Sequence, residues 1–257
     1  MGRWAISQRW NDLLFAHWPL AADAVAAQLP SWLAADTFQG SAWLGVIPFW
    51  LDRIKLRCVP IAPGACGFPD LNLRTYVRDQ YTGMPGIYCF SFDTNKPLAI
   101  AVARSFYHLP YYWAEMRFEQ KMEREFSFYS RRRLTVRPVI FKARYRGLGP
   151  NRKLAEMRSG TLESFLTERA WLFSSNHAGQ PMRAYLHYVP WPLEEAEAQI
   201  DRNDLASAIG IELPDQEPVL HYSRRLAIYI WPTELVQPVL STRRVPVAAT
   251  PSAIPPG

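Results

Sequence analysis

Long apolar runs are missing from this 257-residue chain, and none approaches the roughly 20 residues that span a bilayer as a helix. The start, MGRWAISQRW, carries neither an apolar core segment nor a small-residue cleavage site, so no export signal is expected. It also fails the myristoylation pattern, because Ile6 stands where a Ser or Thr is required. Cysteine is scarce: Cys58, Cys66 and Cys89 are odd in number and lack metal-type spacing, which predicts reduced thiols and a cytoplasmic location. Lysine is scarcer than the charge suggests. Of 29 basic residues only Lys55, Lys96, Lys121, Lys142 and Lys153 are lysines, so few amines are available as nucleophiles.

Several signatures of chemistry are absent too. The five histidines fall in separate segments with no HExxH or HxH pattern, which argues against a metal centre. His177 is most simply a turn residue, and His17, beside Trp18 and Pro19, reads as a buried, hydrogen-bonded side chain that is also the best general-base candidate of the five. No GxSxG elbow occurs, and the glycines match neither a phosphate-binding loop nor a dinucleotide fingerprint. No cofactor is expected.

What is present is aromatic and apolar. Hydrophobic residues make up 49% and charged residues 20%, the balance of a soluble globular chain. One domain over residues 1–235 is expected, followed by a disordered tail over 236–257, whose last twenty residues hold five prolines. Strand signals dominate. In LNLRTYV, Asn72, Arg74 and Tyr76 share one face while Leu71, Leu73, Thr75 and Val77 share the other; IYCFSF reads as the hairpin partner. A turn is expected at Gln39-Gly40, two or three long strands over 117–146, a hairpin at Asn176–Gly179 and a last strand in VLHYSRRLAIYIW. Helices are expected at Asn11–Phe15, in LAIAVARSF as a buried segment after Pro97, at Leu162–Thr167, at Pro192–Ile200, and at Asn203–Ile209 stopped by Gly210. The fold class is therefore α+β, mainly antiparallel β and barrel-like.

Two polar features stand out. The stretch 130–146 holds seven basic residues and no acid, which fits a solvated hairpin face better than a nucleic-acid groove, since no nucleic-acid fold signature accompanies it. Arg74 lies in the middle of an aromatic-rich strand, where an arginine is uncommon unless it is paired or faces a cavity. A buried ion pair with Asp70, Glu115 or Glu168 and an anion-facing pocket weigh equally at this point.

The segments WNDLLFAHWP, DTFQGSAWLGVIPF, FPDLNLRTYV, GIYCFSFD, ARSFYHLPYYWAEM, FLTER, VPWPLEEAE and HYSRRL together resemble the YqjF-type family of bacterial proteins, over about residues 4–231. That resemblance implies membership of the acetoacetate decarboxylase-like superfamily, with an antiparallel sheet closed into a cone or barrel around a central pocket. In the decarboxylases the segment similar to FDTNKPLAIAVARSFYHLPYY ends in Pro-Lys-Lys; the first lysine forms a Schiff base and the second lowers its pKa. Tyr111 and Tyr112 stand at those positions here. A phenol has no nitrogen for an imine, so Schiff-base decarboxylation is excluded there. Asp70 corresponds to a glutamate of the decarboxylases. The implied ligand site comprises Arg74, Tyr76, Arg104, Tyr111, Tyr112, Asp70 and His17, suited to a small carboxylate or oxo acid. A binding protein is the leading expectation, an enzyme of altered chemistry on an oxo acid or lactone the second, and nucleic-acid binding through 131–146 the third. Homo-oligomerisation is left open.

Overall fold

The computed structural model describes residues 3–57, 67–149 and 159–237. Among these, thirteen strands belong to one sheet: β1 (Ile6–Leu20), β2 (Leu33–Ala35), β3 (Ala42–Leu56), β4 (Phe68–Asp79), β5 (Pro85–Thr94), β6 (Tyr111–Met122), β7 (Glu125–Arg132), β8 (Ile140–Gly147), β9 (Trp171–Ser175), β10 (Pro181–His187), β11 (Leu193–Asn203), β12 (Val219–Ile230) and β13 (Glu234–Leu235). Helices α1 (Ala22–Ala26), α2 (Pro97–Tyr107) and α3 (Leu162–Thr167) interrupt them.

The β4–β5 and β10–β12 pairings close this sheet into two rings. A smaller ring runs β4-β5-β9-β10-β12-β1-β3, and a larger one runs β4-β5-β6-β7-β8-β11-β12-β1-β3. Five strands are common to both, so each presents one face to one interior and the other face to the second. Most pairings are antiparallel. The parallel ones, β5 with β6 and β5 with β9, need crossover connections, and α2 supplies the first.

A wall with an interior on both sides has no solvent-facing side, and this explains why Asn11–Phe15 forms part of β1 rather than the expected helix. Leu13, Leu14, Phe15 and Ala16 are all fully buried, and a continuous apolar run carries no period by which strand and helix can be told apart. Leu14, Ala16 and Trp18 join the core of the larger ring with Leu44, Leu71, Leu73, Phe128 and Tyr145. Leu13 and Phe15 face the smaller ring with Ile47, Phe49, Trp191 and Leu193.

Pro192–Ile200 is a second correction. Its Glu, Ala and Gln residues favour a helix, but the segment forms most of β11, pairing Glu197 with Arg146 and Ile200 with Ala143 of β8. Only a short 3₁₀ turn, Ser207–Ile209, remains of the next expected helix, stopped by Gly210 at φ 76° as its glycine predicts. Helix α2 forms where Pro97 suggests, yet it is not buried: Leu98 and Phe106 are 78% and 67% exposed, and Tyr107 alone is buried. The Gln39-Gly40 turn is present, with both residues at positive φ, but its flanking strands β2 and β3 each pair with β4 rather than with each other. The hairpin at Asn176–Gly179 also forms, its Asn176 side chain accepting the amides of Ala178 and Gln180. Val236 packs with Trp32 and Phe173, while the tail from residue 238, Cys58 and Cys66 lie outside the described residues.

Candidate functional site in the smaller ring

Alternation along β4 decides what the smaller ring contains. Leu71 and Leu73 turn into the larger ring, so Asp70, Asn72, Arg74 and Tyr76 turn into the smaller one, all buried. Register adds the rest. His17 of β1 lies opposite Gly45 of β3, which in turn lies opposite Arg74 of β4. A Cβ on Gly45 would sit 2.8 Å from the His17 ring, so the glycine gives the imidazole its room beside Arg74.

Hydrogen bonding at this end is fixed by donor arithmetic. The Tyr76 hydroxyl has one proton and gives it to the Leu166 carbonyl of α3 at 2.6 Å. It must therefore accept at its other contacts, from His17 Nε2–H at 2.7 Å and from Arg74 Nη2 at 3.3 Å. Burial, reinforced by the Arg74 and His221 charges, holds His17 well below its ordinary pKa, so the ring is neutral and its Nδ1 is a bare acceptor. That Nδ1 has no partner. Arg74 also gives Nη2 to the Leu166 carbonyl at 3.1 Å and lies against the Phe15 and Tyr76 rings. Among the described residues it has no carboxylate partner, and its Nε is unsatisfied. The ion pair that the sequence offered as an alternative does not form.

At the other end, Tyr111 stacks on Phe92 with ring centres 4.6 Å apart and donates its hydroxyl to Asp70 Oδ2 at 3.0 Å. Burial raises the Asp70 carboxyl to about 8, with Tyr111 working against the rise and nearby Asp93 adding to it. Asp70 is thus mostly a neutral acid at pH 7, and its Oδ1 has no partner. Burial also holds the Tyr111 phenol well above its ordinary value, and Cys89, on the same interior face, is pushed up to about 12. Between the two ends, Asn72 Oδ1 is buried and unpaired, as is Ser223 Oγ on β12 opposite Leu13.

The structure separates the remaining expected site residues from this group. Tyr112, one residue on from Tyr111, faces the larger ring, where the Arg132 guanidinium lies 4.1 Å from its ring centre and pairs with buried Asp93 at 2.7 Å. Arg104 is exposed and holds the Tyr111 backbone carbonyl through Nε at 2.9 Å, so it positions the strand rather than lining the interior. Ser223 and the Leu166 carbonyl were not foreseen: neither a lone serine in HYSRRL nor a backbone oxygen carries a signal in sequence. Much of the basic stretch is paired, with Arg133 on Glu115, Lys142 on Asp201 and Arg146 on Glu197. No cluster of three metal-ligating side chains occurs among the described residues. Surface clefts lie elsewhere, against Trp50, Phe68 and Phe118 and under the 131–136 turn.

This doubly ringed sheet has the acetoacetate decarboxylase-like fold. Solved structures share it at a level that shows the fold alone. An acetoacetate decarboxylase-like enzyme from Sphingomonas wittichii RW1 superposes with a TM-score of 0.62 at 12% identity, over 91% of this chain and 93% of that one. Acetoacetate decarboxylase from Legionella pneumophila gives 0.60 at 14% identity, over 94% and 92%. The enduracididine biosynthesis enzyme MppR complexed with pyruvate gives 0.61 at 12% identity, over 92% and 91%. Within that fold the chain belongs to the YqjF-type family, described as an uncharacterized conserved protein family, which matches residues 7–227. Uncharacterized protein YqjF of Bacillus subtilis (strain 168) is 40% identical over 231 residues, covering 90% of this chain and 92% of that protein.

Proposed function

We propose that the smaller ring binds a small carboxylate or oxo acid and that the protein works as a small-molecule-binding protein without Schiff-base chemistry. One observation carries this reading: His17 Nδ1, Asp70 Oδ1, Asn72 Oδ1, Arg74 Nε and Ser223 Oγ are all buried, all unpartnered and all turned into the same interior. Each buried polar atom without a partner costs about 1–3 kcal/mol, so five in one place describe a surface that a polar ligand completes. A cation with no carboxylate partner supplies the affinity for an anion. The four described lysines are all exposed, so none offers an interior amine. That a structural neighbour is complexed with pyruvate supports the choice of ligand class. The described free thiol, Cys89, fits a reducing cytoplasm, and no helix among the described residues is long and apolar enough to cross a membrane.

A second reading, turnover of an oxo acid, is favoured by one feature: the Asp70 carboxyl, raised to about 8 and hydrogen-bonded by Tyr111, can give or take a proton near neutral pH. Thermal-shift titration with pyruvate and other short oxo acids tests the first reading. Saturation at about a hundred times Kd adds roughly 2.7 kcal/mol, and Arg74→Met removes the shift. If no oxo acid raises the melting temperature of the wild type, the binding reading is wrong. Tyr111→Phe separates the two readings, weakening simple binding mildly but nearly abolishing turnover if that phenol moves the proton.

A further inference from the structure

Two apolar side chains in the turn between β7 and β8 have nothing to pack against. Leu134 is 93% exposed and Val136 completely so, more than any other large apolar residue among those described. Leu134 also sits at a positive φ of 59°, which a side chain of its bulk rarely adopts, so the turn holds it in solvent at a backbone cost. The base of the turn is closed by two backbone hydrogen bonds. Arg132 N–H donates to the Val139 carbonyl at 3.0 Å, and Arg133 N–H to the Trp113 carbonyl at 2.7 Å. The second bond sets half-exposed Trp113 of β6 beside the turn.

The same turn carries cations. The cleft beneath it, of about 360 Å³, is lined by Arg131, Arg132, Arg133, Thr135 and Pro138 together with the two apolar residues. Arg132 is committed to buried Asp93, and exposed Arg133 shares the Glu115 carboxylate with Arg117. Arg131 and Arg137 are exposed and have no acidic partner among the described residues. Positive charge is therefore in excess here, carried by guanidinium forks that match phosphate oxygens. Chemistry separates the occupants such a surface could take. A second copy docking through the same turn would set like charges against each other across a two-fold axis. Single-stranded nucleic acid would meet the arginines, but Tyr129 lies under the Arg117 guanidinium at 5.7 Å and Tyr145 is buried, so neither offers a stacking face. It would also leave Leu134 and Val136 uncovered. An anionic bilayer answers both halves, with phosphates for the arginines and an apolar boundary for the two side chains.

We propose that the β7–β8 turn docks the protein on an anionic phospholipid surface. Arg131, Arg133 and Arg137 take the headgroup phosphates, Leu134 and Val136 enter the boundary between headgroups and acyl chains, and Trp113 lies at the level where tryptophan is favoured. Neither signal is strong alone. A small apolar insertion and a few arginines act together, so the attachment is peripheral, reversible and screened by salt. The surface is separate from the smaller ring and does not depend on what that ring binds.

Co-sedimentation of the full chain with vesicles of phosphatidylglycerol and phosphatidylcholine in equal parts, and with vesicles of phosphatidylcholine alone, tests the proposal. The protein should pellet with the anionic vesicles, come off them at about 0.5 M salt, and stay in solution with the neutral ones. Arg131→Gln combined with Arg137→Gln should weaken binding about 25-fold, each basic residue near an anionic surface being worth about fivefold. Leu134→Ser combined with Val136→Ser should weaken it at least about tenfold. All four side chains are exposed, so neither double variant should shift the melting temperature. A serine variant that pellets as well as the wild type overturns the proposal, because a purely electrostatic contact would not use the apolar pair. Pelleting with neither vesicle, or equally with both, overturns it too. If the wild type then binds inorganic phosphate or a single-stranded oligonucleotide and the glutamine variant does not, the arginine cleft belongs to that ligand instead.

Discussion

Asparagine at position 70 should make the protein more stable, and the gain should depend on pH. Asp70 is fully buried and its carboxyl is raised from an ordinary 3.8 to about 8. The folded state therefore holds a proton that the unfolded state has lost over the interval between those values. Stability contributed by this group is highest below about pH 4, falls as pH rises toward about 8, and is level beyond. At pH 7 the gap is roughly three pH units, and each is worth about 1.4 kcal/mol, giving a ceiling of about 4 kcal/mol on the cost of the acid. Asp70→Asn keeps an acceptor for the Tyr111 hydroxyl and has no charge to bury. For a chain of this size 1 kcal/mol moves the melting temperature by about 2–4 °C, so the variant should melt up to about 16 °C higher at pH 7 and no less at pH 8. Near pH 4 the difference should be small. Melting temperatures measured across that range decide it: curves that stay parallel, or a variant that is less stable at pH 8, would refute the burial argument.

Three further substitutions probe the fold around the site. Tyr76→Phe removes the donor to the Leu166 carbonyl and leaves His17 Nε2 without its acceptor, so denaturant unfolding should show a loss of about 1–3 kcal/mol. Gly45→Ala places a methyl 2.8 Å from the His17 ring; the displaced imidazole should cost about 1–3 kcal/mol in the same assay and weaken oxo-acid binding. Arg132→Met strands buried Asp93 in the larger ring and should cost about 3–5 kcal/mol, with a large part recovered in the double variant carrying Asp93→Asn.

How far the sequence reached depended on how many faces of each strand meet polar surroundings. The β4 stripe was legible because Asn72, Arg74 and Tyr76 alternate with apolar residues, and the same period separated the two interiors. β1 was not, since both of its faces are buried over Leu13 to Ala16 and the apolar run loses its period. β11 misled in the opposite way: its local preference is helical, and pairing with β8 overrides it. At the site, Asp70, Arg74, Tyr76, Tyr111 and His17 were named in advance and meet in one interior. The adjacent tyrosines were expected to act together, yet alternation in β6 sends Tyr112 to the other ring. Arg104 fell outside because α2 packs with its arginine side outward against the backbone of Tyr111. That Arg74 has no carboxylate partner is visible only in the folded structure, because the sequence offers Asp70, Glu115 and Glu168 as partners and the fold uses none of them for it.

The claim on which the rest depends is that the unpaired polar atoms of the smaller ring hold a ligand. A crystal structure of the protein soaked in a short oxo acid tests it directly. The account predicts density for the acid inside the ring, its carboxylate on Arg74 and within hydrogen-bond distance of at least one of His17, Asn72 and Ser223. Density confined to the surface clefts, with water alone or nothing between Arg74 and Asp70, would contradict it.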